Sequence, residues 1–316
     1  MKCRQCDAKA VINMRQHKLA LCGEHYPQWI VAQTQRFIEK YRMFSRQERI
    51  LVAVSGGKDS LSLWDILWQL GYAADGLYIG LGIDGGIDYS AESQRLCEAF
   101  ASQRGLHLIT VSVPDQVGMS VPELAAQTQR GKNKPCSVCG LTKRHIMNQA
   151  ALEGGYDVLV TGHNLDDEAA TLFGNTLNWN VGYLLRQSPV LPARHGGLVR
   201  KAKPLCRFYE REMAAYALVR GIEYIYDECP YAQGSTSIYY KEVLNQMEAE
   251  RPGVKLSFYL AFLQAKENGL FGYLPDHDED ERGAGGEMLF TCPSCGQPTT
   301  VDGLCSYCRM LAKVED

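Results

Sequence analysis

The chain has 316 residues, of which 46% are hydrophobic and 22% are charged, and its formal net charge is -3. These proportions are ordinary for a soluble protein, no apolar run approaches the ~18 residues of a membrane span, and the N-terminus has no apolar signal core, so we expect a cytoplasmic protein. The small negative charge excludes a generally basic nucleic-acid binder, so any RNA contact must use local basic patches.

The first cysteines are spaced as metal ligands. Cys3-x-x-Cys6 is followed after fifteen residues by Cys22-x-x-His25. Disulfides are rare in the cytoplasm, whereas two such pairs can give four ligands to one tetrahedral ion. The pattern predicts an N-terminal zinc finger over residues 1–28 whose folding depends on the metal.

A basic helix is predicted next, over residues 29–41, from apolar residues at helical spacing. It carries Arg36 and Lys40, and further arginines follow at positions 42, 46 and 49. The cluster is either an RNA-facing patch or an ordinary solvated helix face.

An apolar run from Ile50 to Val54 predicts a buried strand, and a helical pattern from Leu61 to Leu70 follows the intervening segment SGGKDS. The two glycines permit a tight turn close to a ligand, and the helix N-terminus offers free N–H groups to an anion. Lys58 adds a charge for phosphate. Asp59 stands where the P-loop of kinase-like NTPases has Ser or Thr, and the segment instead resembles the pyrophosphate loop of the N-type ATP pyrophosphatases.

Further strands are predicted over 76–81, 108–113 and 156–161, with a helix over 90–104 that contains Cys97 as a buried small residue. Strands that alternate with helices at this interval predict an α/β fold with a doubly wound parallel sheet. Ligands of such sheets lie beyond the carboxyl ends of the strands, where SGGKDS and the residues after Ile79 are expected.

Cys136-x-x-Cys139 lies in the segment KNKPCSVCGLTKR, predicted as a loop that leads into a helix over 141–151. The pair has no second CxxC nearby, which leaves three interpretations: a redox dithiol, half of a zinc site, or part of an iron–sulfur site. The helix N-terminus and neighbouring lysines predict lowered thiol pKa values in each case.

The strand over 156–161 ends in GHNLDDE, at residues 162–168. A glycine at a strand end before an acidic helix start predicts a second wall of the same pocket. Asp166, Asp167 and Glu168 either favour the helix dipole alone or include a functional acid that holds magnesium or moves a proton.

The chain after residue 193 contains a basic segment, a helical region and a second cysteine cluster. Between the motifs lies the densest basic segment, which either binds RNA phosphates or is a solvated loop; its members are Arg194, His195, Arg200, Lys201, Lys203 and Arg207. Residues 210–268 are predicted to be mostly helical, with helices over 242–250 and 256–266, and extend a catalytic domain over 29–275. An acidic and Gly-rich linker is predicted over 276–287, before a zinc ribbon over 288–316. The four ligands of that ribbon are Cys292, Cys295, Cys305 and Cys308.

Four motifs occur in a fixed order between two finger-like motifs: SGGKDS, PCSVCGLTKR, GHNLDDEAATLFGN and DECPYAQG. This arrangement resembles the tRNA 2-thiolating enzymes that modify the ribothymidine of the T loop. The related wobble-uridine thiolases share the layout, and the paired fingers distinguish it from the cytidine-thiolating branch. The resemblance covers almost the whole chain.

The resemblance implies a set of site residues. Cys136, Cys139 and the distant Cys229 match the three thiolates that hold a 4Fe-4S cluster with one open iron for the incoming sulfur. Lys143 and Asp167 match residues of ATP contact and catalysis. The remaining nucleotide contacts implied are the positions Ala53, Ser55, Gly56, Gly57, Lys58, Asp59, Ser60, Ile79 and Gly162, with Asp59 also counted as catalytic. Cys206 has no match and is expected to be structural.

The expected activity is ATP-dependent tRNA 2-thiolation, in which the base carbonyl at C2 is adenylated and sulfur then displaces AMP. Magnesium would offset the phosphate charge. The resemblance implies a ubiquitin-like thiocarboxylate carrier, or sulfide, as sulfur donor, and a homodimer. Three alternatives stay open: thiolation of the wobble uridine, a small-molecule ligase or amidotransferase, and a non-catalytic zinc-stapled RNA-binding module.

Overall fold

The computed structural model describes residues 1–130, 135–194, 197–232, 236–272 and 289–315. Three parts of the sequence predictions lie outside these ranges: the linker over 276–287, His195 of the basic segment, and residues 132–134 at the start of KNKPCSVCGLTKR. Within them, no helix is both long and apolar enough to cross a membrane.

The described chain alternates between strands and helices along most of its length. The strands are β1 Ile12–Met14, β2 Leu19–Leu21, β3 Ile50–Val54, β4 Ala74–Gly80, β5 Leu108–Ser112, β6 Val158–Thr161, β7 Val190–Leu191, β8 Arg200–Ala202, β9 Phe290–Thr291 and β10 Pro298–Thr299. The helices are α1 His25–Lys40, α2 Lys58–Gln69, α3 Tyr89–Arg104, α4 Val113–Val117, α5 Val121–Gln127, α6 Pro135–Glu153, α7 Leu165–Leu177, α8 Val181–Arg186, α9 Glu210–Val219, α10 Thr236–Glu250, α11 Val254–Glu267 and α12 Ser306–Glu315. A short 3-10 helix, Arg15–His17, joins β1 to β2.

The central sheet has the strand order β5-β4-β3-β6-β8-β7. All neighbours are parallel except β7, which pairs antiparallel with β8 at one edge. This confirms the predicted doubly wound α/β fold. The strand order reverses between β3 and β6, and such a switch point opens a crevice beyond the carboxyl ends of the two strands.

Strand β3 is apolar on both faces because both faces of the sheet are covered by helices. Ile50, Val52 and Val54 belong to one hydrophobic core, together with residues of α1, α2 and α9. Leu51 belongs to the other core, with residues of α5, α6 and α12. The strand therefore anchors both layers and holds its carboxyl end in a fixed place.

Two predicted segments differ in the structure. Helix α6 begins at Pro135, so both Cys136 and Cys139 lie in its first turns and not on a loop before it. Proline is favoured at a helix start because its missing N–H would have no partner there. Residues 222–232 are not helical, although 210–268 are predicted to be mostly helical; Gly221 has a φ of +63°, which ends α9.

The terminal cysteine modules pack against opposite faces of the sheet. In the N-terminal module Tyr26 is fully buried in the first core, and its hydroxyl donates a 2.6 Å hydrogen bond to the Glu212 carbonyl. In the C-terminal module Tyr307 stacks on His145 of α6 at 4.0 Å between ring centroids. Each module thus adds apolar surface to the core on its own side.

Asp65 of α2 connects three helices beneath the sheet. Its carboxylate, which is fully buried, accepts hydrogen bonds from Arg104 Nε and Arg220 Nε, both at 2.9 Å, and from the Tyr216 hydroxyl at 2.7 Å. Burial raises the pKa of the Asp65 carboxyl, but the hydrogen bonds from Arg220 and Tyr216 outweigh burial and hold the pKa below its usual value. The carboxylate is the stabilising form.

We expect Asp65→Ala to lower the free energy of unfolding by about 2–3 kcal/mol, because it leaves two partly buried guanidinium groups, 12% and 30% exposed, without their partner. Urea unfolding followed by circular dichroism measures the loss. Glu92→Ala is the control: it breaks an exposed pair with Arg95 at 2.7 Å and should change the free energy of unfolding little. The stabilisation by Asp65 is present above its unfolded pKa and is lost as pH falls through the lowered folded pKa. The difference between wild type and variant should therefore shrink in acid; equal stabilities at neutral pH would contradict the assignment.

Candidate active site

The carboxyl ends of three adjacent strands form the floor of a crevice. In the sheet register Ala53 of β3 lies beside Leu77 of β4 on one side and Thr161 of β6 on the other. Ile79 is near the end of β4, and Gly162 directly follows β6. The structure therefore brings these three predicted nucleotide-contacting positions to one edge of the sheet.

The SGGKDS segment joins β3 to α2 as a tight loop. Gly56 has a φ of +73°, a conformation that favours glycine, and α2 begins at Lys58. The Ser60 hydroxyl accepts from the Ser55 N–H at 3.1 Å and donates to the Gly57 carbonyl at 3.0 Å, which holds the loop closed. The N-terminal N–H groups of α2 face the crevice edge, where an anion is favoured.

Gly162 leaves room for this loop to lie against β6. A Cβ atom at position 162 would lie 2.9 Å from the carbonyl carbon of Asp59 and from the nitrogen of Ser60. Both contacts are to backbone, so a side chain at Gly162 would displace the loop. The close approach explains a glycine at this strand end.

Five charged side chains, which we name the loop charge network, meet beside the loop. Lys58 Nζ lies 2.7 Å from Glu210 Oε1 and 3.2 Å from Asp59 Oδ2. Lys241 Nζ lies 2.6 Å from Asp167 Oδ1 and 3.3 Å from Glu210 Oε2. The side chains are 23% to 38% exposed, so a ligand in the crevice can reach them.

The network keeps both lysines charged. Burial lowers the pKa of Lys58 and of Lys241, but the carboxylates beside each lysine outweigh burial and raise both pKa values. Burial raises the pKa of Glu210, and the two lysines more than offset it, so the Glu210 pKa is below its usual value. Asp59 differs, because burial outweighs Lys58 and the hydrogen bond from Asn164 and raises its pKa to about 6.

Of the three consecutive acids at the start of α7, Asp167 alone belongs to the network. Asp166 and Glu168 are buried; Lys255 pairs with Asp166 at 2.5 Å and Lys203 pairs with Glu168 at 2.7 Å. Those two carboxylates hold α11 and the segment after β8. Asn164 caps α7 through the Asp167 N–H at 3.1 Å, and its side-chain amide donates to Asp59 at 3.1 Å. The sequence analysis missed Asn164, although its position before three acids fits an N-cap.

The structure brings together the three cysteines that the resemblance groups, although Cys229 is far from the others in sequence. Cys139 and Cys229 pack against the same hydrophobic core, and Cys136 Sγ lies 3.3 Å from the Tyr231 carbonyl. All three are free thiols. Cys136 and Cys229 are close enough to Cys139 to raise its pKa.

The spacing of these sulfurs differs from that of a single-ion site. In the described chain, the three do not form a group whose sulfurs all lie within 4.8 Å of one another. One tetrahedral zinc ion with Zn–S bonds of ~2.3 Å requires sulfurs roughly 3.8 Å apart. The three thiols therefore do not form a preorganised site for a single zinc ion within the described chain.

The segment 222–232 connects the thiols to the phosphate-sized loop. The Ile225 N–H donates a 2.9 Å hydrogen bond to the Gly56 carbonyl, and Cys229 follows four residues later. Pro230 fits closely over Gly85, where a Cβ atom would lie 2.1 Å from the proline ring. Cys229 is thus positioned by contacts with the segments that follow the carboxyl ends of β3 and β4, which sequence spacing does not reveal.

Lys143 lies one helical turn after Cys139 on α6, and its positive charge is close enough to lower the pKa of the thiol. The prediction of lowered thiol pKa values is wrong for Cys139. Burial raises the pKa of its thiol more than Lys143 lowers it, and the neighbouring sulfurs add to the increase. A partner that favours the thiolate, such as a metal, is therefore needed to ionise Cys139 at neutral pH.

The N-terminal donors converge as a four-ligand group. The ligand atoms of Cys3, Cys6, Cys22 and His25 all lie within 4.8 Å of one another. His25 Nδ1 is 3.6 Å from Cys3 Sγ and 3.3 Å from Cys22 Sγ, and the Cys6 and Cys22 sulfurs are 3.7 Å apart. Although burial opposes it, backbone hydrogen bonds lower the pKa of Cys3 to about 6. The set has the ligand types and spacing of a structural zinc site.

The C-terminal sulfurs form a second group of the same kind. Cys292, Cys295, Cys305 and Cys308 also lie within 4.8 Å of one another, with 3.8 Å between the sulfurs of Cys295 and Cys305. Backbone hydrogen bonds overcome burial and lower the pKa of Cys292 to about 6. Four thiols at tetrahedral spacing fit zinc.

Glu210 and Lys241 are the main site residues that the sequence analysis missed. Glu210 begins α9 and Lys241 lies on α10, in regions predicted only as a helical extension. Glu210 follows the basic segment, and Lys241 stands in a helix with no local motif. Their roles depend on contacts with Lys58 and Asp167, so no local pattern could have identified them.

Two family models match the chain. The PP-loop domain matches residues 28–235, and the N-terminal LIM domain of 2-thiouridine synthetase TtuA matches residues 2–27. The first match contains SGGKDS, the three thiols and Asp167, and the second contains the N-terminal four-ligand group.

Named relatives match nearly the full length. The chain is 49% identical to the tRNA-5-methyluridine(54) 2-sulfurtransferase of Thermus thermophilus, over 98% of this chain and 91% of that protein. It is 41% identical to the protein of the same name from Thermotoga maritima, over 100% and 97%. Among solved structures, the chain is similar to the U34-tRNA thiolase NcsA from Methanococcus maripaludis, determined with its [4Fe-4S] cluster. The TM-score is 0.74 and the sequence identity is 22%, and the match covers 93% of this chain and 94% of the NcsA chain. That likeness concerns the fold.

We expect the purified protein to carry about two zinc ions per chain and Cys292→Ser to carry about one, since loss of one of four thiolates weakens a structural site. Elemental analysis measures the metal. Cys97→Ala is the matched control, because Cys97 is buried apart from both groups and its loss should leave the zinc content unchanged. Unaltered zinc in Cys292→Ser would exclude the C-terminal group as a zinc site.

Proposed function

We propose that this chain, which belongs to the tRNA-5-methyluridine(54) 2-sulfurtransferase family of PP-loop proteins, catalyses the ATP-dependent 2-thiolation of 5-methyluridine 54 in tRNA. One observation carries the proposal: a phosphate-sized loop and three free thiols lie at one edge of the sheet, joined through the bond from Ile225 to Gly56. The first feature suits activation of an oxygen by ATP, and the second suits delivery of sulfur.

The loop over 55–60 binds the pyrophosphate portion of ATP. Its glycines bring backbone N–H groups to the phosphates, and Lys58 supplies a fixed charge. Lys241 is the second cation at this position. In the structure both lysines are held by carboxylates, and the phosphates of ATP replace part of that negative charge.

The first step forms one bond and breaks one. The C2 carbonyl oxygen of the base attacks the α-phosphorus, and the bond to the β-phosphate oxygen breaks, so pyrophosphate leaves and the base is adenylated. Lys58 and Lys241 stabilise the charge that develops on the leaving pyrophosphate. Asp59 and Asp167 would hold a magnesium ion, which would offset the remaining phosphate charge.

In the second step a sulfur nucleophile attacks C2 and the C–O bond to AMP breaks. Cys136, Cys139 and Cys229 would hold a 4Fe-4S cluster, which would supply an iron that can bind the incoming sulfur. Lys143 lies beside Cys139 and faces this site with a positive charge. Its role is to stabilise negative charge as sulfur approaches the adenylated base.

The rival readings account for less of the structure. A small-molecule ligase explains the loop, yet it gives no role to three free thiols brought together from distant parts of the chain. A non-catalytic RNA-binding module leaves the loop charge network without a purpose. Wobble-uridine thiolation is the nearest alternative, but the relatives of higher identity are named for position 54.

We further propose a ubiquitin-like carrier with a C-terminal thiocarboxylate as sulfur donor, with free sulfide as the simpler alternative. We propose that the protein acts in the cytoplasm, where tRNA is modified, and forms a homodimer. The exposed apolar side chains of Leu177, Trp179, Val181 and Tyr183 support a dimer, since a monomer rarely exposes such residues together. Thiolation assays with each donor, and light scattering, test these proposals.

Lys241→Met should reduce tRNA-dependent pyrophosphate release by about 10- to 100-fold, which corresponds to roughly 1.4–2.7 kcal/mol of transition-state stabilisation. The variant removes the charge and keeps most of the side-chain length. Lys313→Met, on the exposed face of α12, is the control and should match wild type. A thermal scan checks that both variants fold; a folded Lys241→Met protein with wild-type pyrophosphate release would show that Lys241 does not contact the phosphates.

Cys229→Ala should abolish iron binding and tRNA thiolation while the zinc content is retained. Protein purified without oxygen is analysed for iron, acid-labile sulfide and thiolated nucleosides, and wild type should contain about four irons per chain. Cys206→Ala serves as control, because Cys206 is fully buried outside the thiol group and burial raises its pKa to about 12. Zinc alone in wild type, unchanged by Cys229→Ala, would remove the cluster from the reaction.

A further inference from the structure

Helix α1 has a second stripe of side chains that packs at the edge of the core and stays partly exposed. One face buries Ile30, Thr34 and Ile38 at intervals of four residues. Trp29 and Phe37, displaced by one position, are half-buried and line a cavity of about 300 Å³. We name this cavity the basic-aromatic pocket; it lies where the N-terminal module, α1 and the segment before α9 meet.

Three aromatic rings form its wall. The rings of Phe37 and Phe208 are 5.3 Å apart between centroids, and those of Trp29 and Phe208 are 6.1 Å apart in an edge-to-face arrangement. Phe208 is buried, so it fixes the wall, while Trp29 and Phe37 keep part of their surface exposed. Exposed ring surface of this kind is a stacking platform for a base.

Three cations surround the rings. Arg36 and Lys40, which are both exposed, come from α1, and Arg207 comes from the basic segment some 170 residues later. Among the described residues that line the pocket there is no Asp or Glu. The pocket therefore has a positive local field in a chain whose net charge is -3.

Other cations of the two predicted basic patches are engaged within the protein. Arg46 donates to the Leu70 carbonyl at 2.6 Å, and Arg49 donates to the Gly154 carbonyl at 2.7 Å. Arg200 pairs with Glu48, and Lys203 with Glu168. The cations at the pocket are thus a selected part of the basic residues.

Polar atoms in the pocket lack partners. Arg207 stacks over the Phe37 ring at 4.7 Å, yet its buried Nε has no hydrogen-bond partner within the described chain. The buried Nε2 atom of His17 also has no hydrogen-bond partner within the described chain, and it lies 3.6 Å from Glu212 Oε1. The centroid of the His17 ring lies 5.3 Å from that of Trp29. Buried donors without protein partners are uncommon, and these two are available to hydrogen-bond with a ligand in the pocket.

The pocket is joined to the active site by three consecutive residues. Phe208 forms its wall and accepts a 2.8 Å hydrogen bond from the Leu165 N–H at the start of α7. Glu210, two residues later, pairs with Lys58 in the loop charge network. A ligand in the pocket therefore lies close to the reacting end of the sheet.

We propose that the basic-aromatic pocket binds one nucleotide of the tRNA substrate, with its base against Trp29 and Phe37 and its phosphate near Arg36, Lys40 and Arg207. The proposal rests on the proposed function. Unstacked RNA bases are recognised by aromatic side chains and arginine planes, and the backbone is recognised by cations. An acidic protein surface would use the cations but would leave the aromatic wall and the unpaired Arg207 Nε without a role.

The test uses two double variants. The pocket variant carries Arg36→Glu together with Lys40→Glu, and the charge-matched control carries Arg251→Glu together with Lys313→Glu. All four residues are exposed, so folding should be preserved. An unmodified tRNA transcript is titrated by fluorescence anisotropy over a range of salt concentrations. We expect at least tenfold weaker binding for the pocket variant, and a slope of log affinity against log salt that is smaller in magnitude by about 0.7–0.9, since the loss of one phosphate contact removes roughly that much.

Steady-state thiolation separates this proposal from the proposed function. The pocket variant should raise KM for tRNA and leave KM for ATP unchanged. If the pocket variant binds tRNA with the affinity of the control and has the same KM for tRNA, the pocket proposal is overturned. If the variant is impaired only when the sulfur donor is a protein, the pocket belongs to that donor instead. Wild-type protein that binds tRNA through the pocket but never thiolates it would refute the proposed function alone, because binding is measured without turnover.

Discussion

The loop charge network is the constraint on which the site depends. Two lysines and three carboxylates meet at the edge of a buried sheet, where an unpaired charge is costly. Each lysine therefore needs a carboxylate while no phosphate is bound, and each carboxylate comes from a different element: Asp59 from the loop, Asp167 from α7 and Glu210 from α9. The network consequently fixes the relative positions of α2, α7, α9 and α10 before a ligand enters.

The sequence predicted those parts of the fold that depend on local pattern. The strand Ile50–Val54 was found with its observed bounds, and the parallel sheet followed from alternation of strands with helices. The two four-ligand groups could be grouped from spacing alone, because their members are close in sequence. The start of α6 was placed too late, since the run before Leu141 has no apolar periodicity and the helix is set instead by Pro135 and tertiary packing.

The parts that could not be predicted depend on long-range contacts. Cys229 looks like an isolated thiol until the bond from Ile225 to Gly56 brings its segment to the loop, and in the sequence only the family resemblance groups it with Cys136 and Cys139. Lys241 stands in an ordinary helix, and its partners Asp167 and Glu210 are 74 and 31 residues away. A charged residue whose role depends on partners in distant parts of the chain cannot be recognised from the pattern of its own segment.

The distribution of charge explains how an acidic chain can hold an anionic substrate. Buried acids such as Asp65, Asp166 and Glu168 are each matched to a lysine or arginine within the fold, so their negative charge is largely cancelled locally. Arg36 and Lys40 instead project from α1 into the basic-aromatic pocket, where no carboxylate competes among the described lining residues. Net charge therefore says little about RNA binding here, because screening over ~10 Å leaves the local arrangement of cations and rings to decide where a nucleotide can lie.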